Sequence, residues 1–404
     1  MMFKIALRNI FRRKRRSIIT MLTMFVGFVL AAISIGWSDG TYNNIIDSFT
    51  RNRLGHIQIH SQGYLDKPSL YKNIENYDSL RNVIADIAGV EFTTPRLFAS
   101  GLASLNDKSA GVRIIGVDPE IESRATHLDR KVAEGRYFSA QPSNKALLGR
   151  GLAKILKASV GDTIVIISQA ADGSIANDLY AVFGIVESGD KMEDRASFYL
   201  HLEDAQQLLV LQNRIHEIAV ICDNLADVPQ TSAGIEEALN DSGLDVATWK
   251  EFAKSFYRAM RADKEGMWIM LVVILIMVAV GVLNTVLMSV LERTHEYGVL
   301  RALGTAPGQV FRLVIIEVLI IAVAGVIIGC GLSYLINDAL SAHGVPLPET
   351  FTYGGVEFKR MYTEVNLRSF YIPALSVVVS AFLVSIFPAV KAARIPPAQA
   401  MRSV

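Results

Sequence analysis

Two histidines come first among residues whose spacing could do chemistry. The stretch RLGHIQIH places His56 and His60 four residues apart. On a helix, that spacing would set two imidazoles side by side, as a zinc site requires. Here Ile57 and Ile59 alternate with His56, Gln58 and His60, the pattern of a β-strand. At about 3.3 Å per residue the two rings stand ~13 Å apart, too far for one ion. No metal ligand is expected. GRGLAK, from Gly149, has the look of a phosphate-cradling turn but lacks the third glycine, and reads as an ordinary turn into a helix. The whole chain lacks G-x-x-x-x-G-K-[ST], and the outward stretch 39–262 has no G-x-S-x-G or H-E-x-x-H. Asp190, Lys191, Glu193, Asp194 and Arg195 form a charged turn that reads as a solvated loop tip. Cys222 and Cys330 fall in a polar and an apolar stretch, so no disulfide is expected. The chemistry is not that of an enzyme: no catalytic residue and no cofactor of its own are expected.

The elements that carry these residues are unusual. The chain is 51% hydrophobic and 20% charged, with a mean hydropathy of +0.32. That mixture fits a few membrane spans joined to a water-soluble part. Residues 18–38, 263–291, 311–337 and 370–390 are each long and apolar enough to cross a bilayer of ~30 Å. The first run is longer than a signal peptide's apolar region and lacks a clear A-x-A site, which argues for a retained anchor. Lys4, Arg8, Arg12, Arg13, Lys14, Arg15 and Arg16 precede the first span. Arg293 and Arg301 lie between the second and third, and Lys391, Arg394 and Arg402 follow the fourth. With four spans, all three groups share one side, the cytoplasmic one. The expected order is a cytoplasmic amphipathic basic segment (1–17), a first span, an outward domain (39–262), a second span, a cytoplasmic loop (292–310), a third span, a short outward loop (338–369), a fourth span and a cytoplasmic tail (391–404). In the basic segment, Phe3, Ile5, Ala6, Leu7, Ile10 and Phe11 make an imperfect stripe, suited to a helix lying on the inner leaflet as well as to a topology signal.

The outward domain alternates elements. Strand patterns cover residues 90–105, 111–117, 180–186, 197–200 and 217–221, and helical patterns 77–88, 202–211 and 228–240. The fold class is therefore an integral membrane α-helical protein of four transmembrane helices with a large α+β extracytoplasmic domain between spans one and two. A helix over 246–261, with Trp249, Phe252, Phe256 and Met260 on one stripe, runs almost into the second span. It would link the outer domain rigidly to the membrane, or pack on that domain's core; the two readings are compatible.

The loop between the second and third spans reads LERTHEYGVLRALGTAPGQ. A short helix there ends at Gly304, before Pro307. With no core of its own to join, it suits docking in another protein's groove, presenting Tyr297, Leu300 and Arg301 with Glu292, Arg293 and Glu296 available for ion pairs. Glu317, a turn or two inside the third span, would either contact this loop or reach solvent. Asn284 suits a hydrogen bond between helices. Gly325 and Gly329 form a G-x-x-x-G pair for close packing, in a dimer seam or within one subunit.

These segments resemble the permease subunits of type VII ABC transporters, the family of FtsX, MacB, LolC and LolE. IALRNIFRRKRRSIIT looks like that family's entry into the first span, ERTHEYGVLRALGT like its coupling-helix signature, and FPAVKAARIPPAQAMR like its C-terminal signature. IIEVLIIAVAGVIIG continues the coupling signature, and EGRYF, LLGRGLAKIL and VGDTIVI resemble its periplasmic segment. His295, Glu296 and Tyr297 depart from the residues commoner there. The resemblance implies an ATPase-coupling set of Glu292, Arg293, Glu296, Tyr297, Gly298, Leu300, Arg301 and Gly304. It implies a cytoplasmic ABC ATPase dimer, which binds ATP and Mg, and a second permease copy, identical or paralogous. It places the chain in the bacterial inner membrane as a multi-pass protein with no nucleic-acid partner. ATP-driven motion would pass through the spans to the outer domains (mechanotransmission). The segment GHIQIHSQGYLDKPSL looks closer to the lipoprotein-releasing group than to the macrolide exporters, implying lipoprotein or other lipid-linked cargo and a periplasmic chaperone or adaptor. Acyl chains would then enter between the outer parts of spans one and two, lined by Met24, Phe28, Ile35, Met270, Ile274 and Met277. A MacB-like pump with an adaptor and outer-membrane duct, or an FtsX-like regulator of an extracytoplasmic hydrolase, are the alternatives.

Overall fold

The computed structural model describes residues 2–239, 243–353 and 356–396. Asn240, expected to end a helix, and residues 397–404 of the tail, with Arg402, lie outside the described residues. The chain divides into two compact units. One comprises Met1–Asn43, Met260–Pro346 and Arg360–Val404, and the other Asn44–Ala259 and Leu347–Lys359.

Four helices are long and apolar enough to cross a membrane. They are span 1 (Lys14–Phe49), span 2 (Lys254–Glu292), span 3 (Pro307–His343) and span 4 (Arg368–Ala393). Each outruns its apolar stretch. Span 2 has 39 residues; at 1.5 Å per residue such a helix is ~58 Å long, nearly twice a bilayer core. Hydropathy marks only the apolar middle, whereas backbone hydrogen bonding continues through the polar turns at either end. An entry helix, Met2–Arg12, precedes span 1 and breaks from it at Arg13.

The helical unit packs through a regular pattern. Span 2 turns inward Val278, Val282, Val286 and Val290, one every fourth residue, the spacing of a single helix face. They meet Met24 and Phe28 of span 1 and Val314, Val318 and Ala322 of span 3 in one core, with Val377, Ala381 and Ala389 from span 4. Glycines set the helix separation. A Cβ at Gly325 would lie 3.0 Å from the Met21 carbonyl oxygen, and one at Gly329 would lie 2.6 Å from the Phe28 ring. The G-x-x-x-G pair thus receives span 1 of the same chain. Toward the outward end, buried Asp39 of span 1 pairs with Lys264 of span 2 (3.6 Å) and Arg368 of span 4 (3.8 Å).

The other unit is β-rich. Its strands are β1 Ile57–Ser61, β2 Ile74–Glu75, β3 Val90–Leu105, β4 Lys108–Val117, β5 Val132–Gly135, β6 Lys145–Gly149, β7 Thr163–Gln169, β8 Ile175–Val186, β9 Ser197–His201, β10 Arg214–Ile215, β11 Glu217–Cys222 and β12 Leu244–Thr248. Ten of them form one mixed sheet in the order β12-β1-β11-β3-β4-β9-β6-β8-β5, with β7 pairing β3 and β8. β4–β9 and β6–β8 are parallel and the other pairings in this sheet antiparallel. Helices Pro119–Thr126, Arg150–Leu156 and Leu202–Leu209 lie in its connections.

Two expectations need correction. The helix expected over 246–261 starts later and is broken. Val246 lies in β12, a short helix covers Trp249–Phe252, and Ala253 (φ −108°, ψ 43°) interrupts it before span 2 begins at Lys254. Thr248 N donates to Glu251 (2.7 Å), a local cap that competes with the strand and fixes the start. Trp249 and Phe256 serve the β-rich unit, Phe256 stacking on Phe49 at 3.9 Å between centroids. The outward loop 338–369 is also not plain loop: Val345–Tyr353 and Val356–Met361 pair as a two-stranded sheet.

Candidate functional site

At the basic end of the helical unit, a tip helix (Thr294–Ala302) separates spans 2 and 3. Its start is a kink at Arg293 (φ −101°, ψ 12°), and its end is closed by Gly304 at φ +94°, a conformation glycine adopts without a Cβ clash. Thr305 N returns to Leu300 O (3.0 Å), satisfying a terminal carbonyl.

Charged groups here form a continuous relay. Asn9 of the entry helix donates to Glu317 of span 3 (2.6 Å), and Arg293 Nη1 donates to the other Glu317 oxygen (2.7 Å). Arg293 Nε donates to Glu296 (3.0 Å), whose second oxygen accepts from Arg13 (3.1 Å). Arg13 reaches Glu292 (3.4 Å), which also pairs with Arg16 at the start of span 1. Arg293 is buried and lies over the Tyr297 ring, 5.0 Å from its centroid. Burial alone would lower the Arg293 guanidinium; Tyr297, Glu317 and Glu296 outweigh it and hold it above its ordinary value. Burial likewise pushes Glu296 up, but Arg293 and Arg13 overcome it and hold the carboxyl below its usual range. Glu317 thus contacts the loop region, one of its two expected roles.

The placement changes which residues face outward. Tyr297, expected to be presented, is 1% exposed and lies in the core with Val290, Val310 and Val314. Gly298 is buried and Leu300 packs partly on the same core. Glu292, Arg293 and Glu296, expected to be free for a partner, are engaged within the chain. Arg301 bonds Thr305 O (3.3 Å). The face left open is His295, Val299, Ala302 and Leu303, with Leu303 80% exposed. Sequence reasoning missed Val299 and Leu303. The available signal was helical spacing, for Val299 and Leu303 stand four apart, opposite Tyr297. Along the entry helix Phe3, Leu7 and Phe11 are likewise exposed at four-residue spacing while Ala6 is buried.

The residues expected to line an acyl path separate into two groups. Met24 and Phe28 belong to the main helical core, and Ile35 and Ile274 to a second cluster with Ala31 and Leu271. These four side chains are spent on packing within the subunit, because their helix faces are the inward ones. Met270 and Met277 stand just beside that inward face and are exposed. Asn284 is exposed on span 2 as well, not turned toward a neighbouring helix of its own chain.

In the β-rich unit, His56 and His60 take separate partners. The His56 ring accepts from Cys222 N (3.0 Å) and His60 bonds Glu217 (3.1 Å). Among the described residues, no group of three His, Cys, Asp or Glu could hold a metal. The charged turn is no free loop tip: Asp190 is buried and pairs with Arg53.

The model of a MacB-like periplasmic core domain matches residues 17–238, more than half of the chain, and that of an FtsX-like permease C-terminal matches 268–397. The lipoprotein-releasing system transmembrane protein LolC of Neisseria meningitidis is 23% identical over 425 residues, covering 98% of this chain and 98% of that one. The macrolide export ATP-binding/permease protein MacB of Psychrobacter cryohalolentis is 22% identical, with 99% of this chain matched to 59% of that protein's length. Among solved structures, the periplasmic region of MacB from Actinobacillus actinomycetemcomitans gives a TM-score of 0.37 at 16% identity, over 51% of this chain and 92% of that one. Members of this group are permease subunits that work with a cytoplasmic ATPase. With its four apolar helices and its two matched domains, the chain is a multi-pass membrane protein and belongs to the FtsX/MacB-like family of type VII ABC transporter permeases.

Proposed function

We propose that this permease transmits the motion of an ATP-hydrolysing partner dimer to its β-rich domain, and that it extracts or releases lipoproteins or other lipid-linked cargo at the outer leaflet of the bacterial inner membrane. The observation that carries the reading is the relay at the tip helix. A helix docked on a partner moves spans only if it is fixed to them, and Arg293–Glu317 and the Glu296–Arg13–Glu292–Arg16 chain fix it to span 3 and span 1. The exposed Val299–Leu303 face supplies the docking contact. The partner binds ATP and Mg, and a second permease copy, identical or paralogous, completes the complex.

The cargo class rests on the full-length likeness to LolC. A soluble chaperone or adaptor is supported by an exposed apolar face on the sheet: register sets Leu102 beside Ile167 and Val165 beside Leu179, and all four are exposed. The test is reconstitution with the cognate ATPase. Leu303→Asp should abolish co-purification of the ATPase while leaving thermal stability unchanged, since Leu303 supports nothing in the fold. Undiminished ATPase binding by Leu303→Asp and Val299→Asp together would sink the docking assignment. Release of a radiolabelled lipoprotein from proteoliposomes, dependent on ATP, tests the cargo; ATP-dependent movement of macrolide alone favours the efflux alternative.

A further inference from the structure

The β-rich unit contains a cavity of ≈ 650 Å³, the volume of a small-molecule site. Its charged floor is set by strand register. His60 faces Glu217 across β1–β11, and Glu217 faces Arg96 across β11–β3, so the three side chains stand in one row. Arg96 donates to Glu217 (3.2 Å) and, through two nitrogens, to Glu122 of the Pro119–Thr126 helix (2.7 and 3.3 Å). Thr94 and Thr126 complete Glu122. Glu193 pairs with Arg53 (3.0 Å). The carboxylates that line the cavity are thus already supplied with donors.

The donors are not used up. Lys131 spends one hydrogen on Asn52 O, and the Arg113 guanidinium lies over the Phe98 ring, 4.3 Å from its centroid. Among the described residues neither joins an ion pair, and Arg53 Nε is buried without a partner. Between the charges the wall is apolar and aromatic, with Leu65, Leu70, Phe98, Ile115 and Phe252. Unspent donors select an acceptor-rich ligand, and the apolar wall selects one with a hydrophobic body. We infer that this cavity is a binding site for a small amphipathic anion, whose carboxylate or phosphate head meets Lys131 while its apolar body lies along Leu65, Leu70 and Phe252. This site is independent of the coupling role proposed above.

Lys131 faces Glu122, Glu193, Arg96 and Arg53 from the surrounding elements, and burial draws its ammonium down to about 8. It is protonated at neutral pH and loses its charge in mild alkali. The probe is 2-naphthoate, titrated by ligand-observed NMR against the full chain in zwitterionic nanodiscs, with empty nanodiscs as the baseline. Saturable binding is expected, weakened at least about tenfold by Lys131→Gln, which keeps a donor for Asn52 O but removes the charge. Arg113→Gln, at an exposed position, should weaken it severalfold with no change in fold. For the wild-type chain, affinity should fall about tenfold from pH 7 to pH 9 as Lys131 deprotonates, which needs no variant. Equal binding of the neutral 2-naphthamide, a pH-independent affinity, or Lys131→Gln binding within twofold of wild type overturns the proposal. Displacement of the probe by equimolar inorganic phosphate would overturn its amphipathic part.

Discussion

The pair Arg293–Glu317 gives a sharp test of the relay. Their contact is 2.7 Å, and their side chains are 6% and 13% exposed, so little solvent screening applies. Arg293→Met strands Glu317 with only Asn9 as a donor, and orphaning a buried charge costs roughly 3–5 kcal/mol. Glu317→Met is milder, because Arg293 keeps Glu296; the loss is that of one charged hydrogen bond, about 1.5–3 kcal/mol. In the double variant no charge is stranded at this pair. Its destabilisation should fall short of the sum of the singles by about 1.5–3 kcal/mol. Reversible denaturant unfolding in mixed micelles, followed by helical circular dichroism, measures all four corners. The same variants in the assembled complex should keep basal ATP hydrolysis and lose its dependence on cargo. A coupling energy below about 0.5 kcal/mol, the usual limit of additivity, would refute the relay as an energetic unit.

Three further outcomes follow from other contacts. Gly325→Val places its side chain against the Met21 carbonyl oxygen and the Phe25 amide of span 1, and should cost about 1–3 kcal/mol in thermal unfolding without altering oligomeric state in gel filtration. Cys222 is buried and its thiol is pushed up to about 12, chiefly by burial, so maleimide should label it at pH 8 only once denaturant unfolds the β-rich unit. Glu296 is held below its unfolded value, so it stabilises the tip above that ordinary range near 4.5 and the contribution is lost as pH falls through the lower folded value; protease protection of the tip helix should decline below pH 4.5 and not between 5 and 8.

Much of the helical unit was legible, because a bilayer imposes length and hydropathy on whole segments. Direction around each helix was not. Met24, Phe28, Ile35, Met270, Ile274 and Met277 are all apolar in apolar runs, and nothing local says which side meets protein. The inward stripe of span 2 is marked by valine every fourth residue, but Met270 and Met277 fall just off it. Tyr297 misled for a related reason: an aromatic in a short polar loop resembles a docking anchor until the core beneath it is known. The ion relay was hidden because its members lie up to 308 residues apart in sequence, as with Asn9 and Glu317. The two strands after span 3 were legible in principle, since PETFTYGGVEFKRM alternates about a Gly-Gly pair. The cavity was not, for its row of His60, Glu217 and Arg96 exists only once β1, β11 and β3 are in register.

The division of labour inside the helical unit follows from how its contacts hold. Apolar packing between spans has little hydrophobic drive in lipid, and a valine or glycine seam fixes separation better than it fixes axial position. Ion pairs fix position most firmly where a charge is buried or largely so, as at Asp39, Arg293 and Glu317, because moving such a charge off its partner strands it. Such pairs occur at the two ends. Asp39 ties span 1 to spans 2 and 4 at one end. At the other, Arg13, just before span 1, pairs with Glu296 of the tip helix, Arg293 at the kink pairs with Glu317 of span 3, and Arg16 of span 1 pairs with Glu292, the last residue of span 2. Among the described residues no ion pair joins span 4 to the tip helix. Under the proposed coupling role, a push on the exposed Leu303 face reaches span 3 through Arg293–Glu317, the start of span 1 through Arg13–Glu296, and span 2 through the kink at Arg293. Span 4 receives it only through packing and the distant Asp39 pair. Under the coupling role proposed above, the tip helix drives three helices together and the fourth follows.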